Sequence, residues 1–82
     1  MSQLALSHLK SAAVFVRNSN PSVVLKIEPE GIRVECSALD SEKRLLESSE
    51  IVDWNRIEMS TGDNQVIQAA IRAQQNVKEV LK

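Results

Sequence analysis

Cysteine, glycine, proline and aromatic residues are all scarce in this 82-residue chain, which has one Cys, two Gly, two Pro, one Trp, one Phe and no Tyr. A single thiol, Cys36, cannot close an internal disulfide, so the stapled framework of small secreted domains is excluded. With two aromatics, the stacking platform of a single-strand binder or an RNA-recognition sheet is poorly furnished. Excess charge is missing as well: ten Lys and Arg stand against eleven Asp and Glu, for a net charge of −1. Without a basic field, nucleic-acid binding has to rest on a local patch such as Lys10, Arg17, Lys26, Arg33 and Arg56. Long apolar runs are absent too. His8, Lys10 and Ser11 interrupt the early Leu and Ala run before it reaches signal-peptide length. No segment approaches the roughly 20 apolar residues of a membrane span. The expected setting is cytoplasmic, away from membranes.

What remains is an ordinary globular composition, 43% hydrophobic and 26% charged, which is expected to fold as one domain over residues 1–82. A domain this small buries only about 60% of its unfolded surface. Contact with a second copy or another protein then adds stability by mass action. A homodimer or a protein partner is the expected state.

Residues 2–17 read as a helix. Leu4, Ala5, Leu6, Leu9, Ala12, Ala13, Phe15 and Val16 fall within an arc of roughly 200° at helical spacing. Asn18-Ser19-Asn20-Pro21 should end it, because Asn tolerates the left-handed terminal conformation and the residue before Pro is pushed out of the α region. From Ser22 to about Ala38 the pattern changes to a β-hairpin. Val23, Leu25 and Ile27 alternate with Val24, Lys26 and Glu28, and Ile32, Val34 and Cys36 with Arg33, Glu35 and Ser37, around Glu28-Pro29-Glu30-Gly31, a turn with Pro at its second position and Gly at its fourth. Lys26, Glu28, Arg33 and Glu35 then share the outer face and are placed to pair across the strands.

Residues 39–59 fit either a short helix or two more strands, and the spacing of Ile51, Trp54, Ile57 and Met59 favours strands at about 43–48 and 55–59. Thr61-Gly62-Asp63 introduces a last helix from about Asn64 to Leu81, capped by Asp63 and complemented by Lys78 and Lys82. Its apolar residues cover about half the circumference, wider than the stripe of about 100° that one sheet requires. The fold class is therefore α+β: a small antiparallel sheet built on the hairpin, with the N- and C-terminal helices packed on one face.

Chemistry-bearing residues are few. His8 lies within the apolar arc of its helix with no His or Cys at ligand spacing, and reads as the edge of a core or interface rather than a metal ligand. Cys36 continues the inward series of its strand and reads as a small core residue; as a nucleophile it needs His8 brought close by the fold. The carboxylates lack calcium-loop spacing and read as a solvated face. Phosphate loops, nucleophile elbows and zinc patterns are not found, so neither a cofactor nor a metal is expected.

The candidates for recognition are Trp54 and Arg56, residue types enriched where a few contacts dominate affinity. With them goes the amide-rich outer face of the last helix, Gln68, Arg72 and Gln75. Trp54 has an alternative role as the cap of a small core, and Gln74 sits as a polar group inside the apolar arc. The expected function is a non-catalytic protein–protein interaction module: an adaptor, an assembly subunit, or a small inhibitor or regulator of a larger protein. A nucleic-acid-binding accessory protein is the alternative, and a small enzyme the more remote one.

Overall fold

The structure, a computed structural model, describes residues 3–59 and 63–81. The first helix forms where the periodicity places it. α1 (Gln3–Val16) turns Ala5 and Ala12 fully inward, with Leu9 and Val16 partly buried against the core. Its end is closed by Ser19 rather than by a left-handed Asn. The Ser19 N–H and hydroxyl both donate to the Val16 carbonyl (3.1 and 2.8 Å), and the same hydroxyl oxygen accepts from the Val23 N–H (3.1 Å). One side chain thus joins the end of α1 to the start of the sheet. The intervening Asn20–Pro21 peptide is cis.

β1 (Val23–Glu28) and β2 (Gly31–Leu39) make the expected hairpin, paired antiparallel from Val23 opposite Cys36 to Glu28 opposite Gly31. Pro29 and Glu30 form the two-residue turn. The inward series holds for Val23, Ile32, Val34 and Cys36, all buried. Ile27, expected in the same series, is 64% exposed, because it lies at the far end of the edge strand. The cross-strand charge pairs form as the alternation implies: Lys26 Nζ lies 2.7 Å from Glu35, and Arg33 Nε lies 2.8 Å from Glu28. Arg33 holds the Glu28 carboxyl below its ordinary range, and Glu35 raises the Lys26 ammonium.

Two strands expected at 43–48 and 55–59 are replaced by one long strand and a short helix. β3 (Leu45–Asp53) pairs with β2 without interruption from Leu39 opposite Leu45 to Gly31 opposite Asp53, giving sheet order β1-β2-β3. The alternation misled because the positions of β3 that face the helices are Leu46, Ser48, Glu50 and Val52. Its two central inward residues are polar and find partners only in the tertiary structure. α2 (Trp54–Met59) follows at once, because the Asp53 carboxylate accepts the Arg56 N–H (2.8 Å) and caps a helical turn that buries Ile57. The spacing of Trp54 and Ile57 suits a helix as well as a strand, and the cap decides between them.

The β2–β3 loop is organised by Asp40. One carboxylate oxygen accepts the N–H groups of Glu42 and Arg44 (both 2.8 Å), and the other accepts Arg44 Nε (2.8 Å). Backbone N–H donation, first from Arg44, keeps the Asp40 carboxyl below its usual value. Lys43 in this loop takes a positive φ of 62°.

α3 (Gln65–Leu81) begins one residue later than expected, and its cap is Asn64, not Asp63. The Asn64 side-chain oxygen accepts the N–H groups of Val66 (3.0 Å) and Ile67 (3.2 Å), while its amide donates to the His8 carbonyl (2.8 Å). Asn serves here because an amide can accept from its own helix and donate to α1 at the same time. Thr61, Gly62 and Lys82 lie outside the described residues. Val66, Ala69, Ala70, Ala73 and Val77 are buried. α3 lies over β2 and β3 about equally and touches β1 little, while α1 packs on α3 and α2 and reaches the sheet through β1. The wide apolar arc of α3 is thereby used on the sheet and on α1 together. Gln74, the polar group within it, donates to the Pro21 carbonyl (3.1 Å). The fold is α+β with both terminal helices against a three-stranded antiparallel sheet. No helix among the described residues is long and apolar enough to cross a membrane.

Candidate interaction surface

The five sequence candidates fall into two groups. Trp54 stands apart. It is half-buried at the junction of β3 and α2 and packs against the core. Its indole N–H is shared between the carbonyls of Glu28 (3.2 Å) and Pro29 (3.0 Å), and its backbone N–H donates to Glu30 (3.3 Å). The side chain therefore straps the β1–β2 turn to the end of β3.

Arg56 and Arg72 lie on the side of the molecule where α3 borders β3, whereas Gln68 and Gln75 fall on the outer side of α3, turned from the buried stripe of Val66, Ala70, Ala73 and Val77. Arg72 makes a two-pronged contact with Glu50, Nε lying 3.0 Å from one carboxylate oxygen and Nη2 bonding the other. Asn76 donates to the Ser48 hydroxyl (3.3 Å) one helical turn on, and Arg56 Nη2 donates to Gln65 Oε1 (3.3 Å) at the other end. The Arg72 guanidinium, with the charge of Arg56 adding to it, holds the Glu50 carboxyl below its ordinary range. The flank is consequently a row of amides in which the one buried-side carboxylate is already neutralised. Gln75 and Arg72 are exposed and Gln68 is half-buried.

Two other arrangements weighed in the sequence are not assembled. The His8 carbonyl meets Asn64 at the start of α3, whereas the Cys36 thiol feels Lys78 in the last turn. Fourteen residues of helix separate those two α3 positions by about 20 Å. A Cys36–His8 nucleophile and base pair is therefore contradicted by the topology. Cys36 is buried, and burial pushes its thiol above the ordinary value. Native protein should leave Cys36 unlabelled by a thiol reagent over a time in which urea-unfolded protein is labelled fully; equal rates would mean that α3 does not cover β2 as described. The basic patch is also dispersed, since Lys26 and Arg33 are engaged by carboxylates on the open face of the sheet. No group of three or more His, Cys, Asp or Glu among the described residues is placed to hold a metal ion.

The open sheet face carries a shallow depression of about 450 Å³ between Val24, Lys26, Glu35, Ser37, Glu47 and Ser49. A second feature escaped the sequence reading. α1 seats only the narrow stripe around Ala5 and Ala12, leaving Leu4, Leu6, Val14 and Phe15 exposed, Val14 by 67%. The signal was present in the sequence, because two of the residues at the centre of the arc are alanines, which let a helix approach closely without drawing its larger neighbours into the contact.

No family model matches the chain, and no curated protein or solved structure is significantly similar to it.

Proposed function

We propose that the chain is a non-catalytic protein–protein interaction module, an adaptor, assembly subunit or small regulator of a larger protein, and that α1 carries its contact with that protein. The observation behind this reading is the apolar surface on α1. At 100° per residue, Leu4 and Phe15 lie to one side of the buried stripe and Leu6 with Ala13 to the other, and all four are exposed. Val14 stands on the outer arc between these two strips together with Gln3, Ser7, Lys10 and Ser11, so the exposed side of α1 mixes large apolar and small polar groups in the way protein contacts do. A cytoplasmic setting suits the single free thiol, Cys36.

The test is affinity capture from source-cell lysate, nuclease-treated, with wild type against the double variant Leu6→Glu, Val14→Glu. Both side chains are exposed, so the variant should keep the native circular dichroism. A stoichiometric protein held by wild type and lost by the variant is the expected result. Retention of the same protein by the folded variant, or loss of all capture on nuclease treatment, would refute the reading; the latter outcome belongs to nucleic-acid binding.

A further inference from the structure

We propose that the chain forms a two-fold dimer with a second copy of itself through the outer edge of β3, giving one continuous six-stranded antiparallel sheet. This goes beyond the α1 reading and uses a different surface. The first observation is the contrast between the two edges. β1 has six residues, is bracketed by Pro21 and Pro29, and carries Lys26 in its middle, which are the devices that keep an edge strand from pairing. β3 has nine residues, no Pro, Gly or Lys, and an uninterrupted register with β2. Among the described residues no strand lies beyond it.

The second observation is self-complementarity. An antiparallel pair centred on Ser49 uses all nine residues and sets Leu46 against the partner's Val52, and Ser48 against the partner's Glu50. Glu47 then meets Ile51 and Asp53 meets Leu45, so no carboxylate stands directly opposite another. Centring the pair on Glu47 or Glu50 would oppose like charges, which destabilises a cross-strand pair. Leu46 and Val52 lie on the helix-covered side, where the first is half-buried and the second fully buried. Val52 is already covered within its own protomer, so the half-buried Leu46 is the side chain of this pair that gains cover from the second copy.

The third observation is the position of α3. Because α3 lies over β2 and β3 and touches β1 little, it stands on the half of the sheet next to the proposed two-fold axis, on the same face as its symmetry copy, where helices can pack across the axis. The flanks that would meet are the amide-rich ones. Arg72 stands over Glu50 and Asn76 over Ser48, so opposing Glu50 with Ser48 also brings Arg72 of one copy to Asn76 of the other, without apposing like charges. α1 packs from the β1 side of α3 and does not obstruct this approach.

Purified full-length chain, with no other protein present, tests the proposal. Sedimentation equilibrium at micromolar concentration should give twice the 9.1 kDa chain mass. Ser49→Cys should convert to a disulfide-linked dimer on mild oxidation, whereas wild type should not, because its only thiol is buried. Ser49→Lys replaces an exposed side chain, so it should retain the native circular dichroism while weakening dimerisation about tenfold or more through two apposed ammonium groups. A monomeric mass throughout the micromolar range, or a dimer that Ser49→Cys does not link and Ser49→Lys does not weaken, would overturn it. Either outcome leaves the α1 capture experiment to be decided separately.

Discussion

Gly31→Ala is expected to cost about 3 kcal/mol or more, a large share of the roughly 4–12 kcal/mol stability that a domain of this size holds. An alanine Cβ at this position would sit 2.1 Å from the Val52 carbonyl oxygen and 2.7 Å from Asp53 Cα. Both are backbone atoms of the adjacent strand, so no side-chain rotation relieves the clash. At φ 159° the Gly31 backbone is also one that L side chains rarely adopt, so space and conformation both require glycine at the fourth position of Glu28-Pro29-Glu30-Gly31. The end of β3 crosses tightly beneath the hairpin here, because Gly31 pairs with Asp53 and the next residue, Trp54, bonds the turn carbonyls. Urea unfolding of Gly31→Ala, beside Pro29→Ala as an exposed neighbour in the same turn, measures the effect. A shift of the transition midpoint confined to Gly31→Ala supports the close approach, and two variants within about 0.5 kcal/mol of wild type would rule it out.

The parts of the fold that were legible are those whose pattern is decided locally. α1, the β1–β2 hairpin and α3 each carry a hydrophobic period that burial alone satisfies, and the charged pairs Lys26–Glu35 and Arg33–Glu28 follow from the alternation once the turn is placed. Residues 43–59 were not legible, for a reason that Glu50 makes plain. In β3 an inward-facing carboxylate breaks the apolar alternation, and what makes it tolerable is Arg72, 22 residues later on α3. Sequence periodicity cannot register a partner at that distance. The same blindness applies to the candidate surface. Arg72 was visible as part of an amide-rich outer face, but that it reaches Glu50 on β3 depends on α3 seating over β2 and β3. That seating is a property of the assembled layers.

Trp54 shows how one residue type can be read in two ways until its neighbours are known, and its substitution should separate them. A recognition Trp would be dispensable for folding. In the structure its indole packs against the core and its N–H bridges Glu28 and Pro29, so Trp54→Ala is expected to destabilise the chain by about 2–3 kcal/mol, near the low end for removing a large aromatic because the site is only half-buried. Trp54→Phe keeps most of the ring and loses the donor, leaving two carbonyls at a partly solvated turn, and should cost about 1 kcal/mol. Arg56→Ala, two residues on, removes an exposed side chain that bonds Gln65 and should stay within about 0.5 kcal/mol of wild type. Thermal unfolding of the three variants under one condition reads this ordering directly. If Trp54→Ala melts with wild type, the strap contributes nothing and Trp54 returns to the list of contact residues. If the ordering holds, Trp54 belongs to the scaffold, tying the β1–β2 turn to the end of β3.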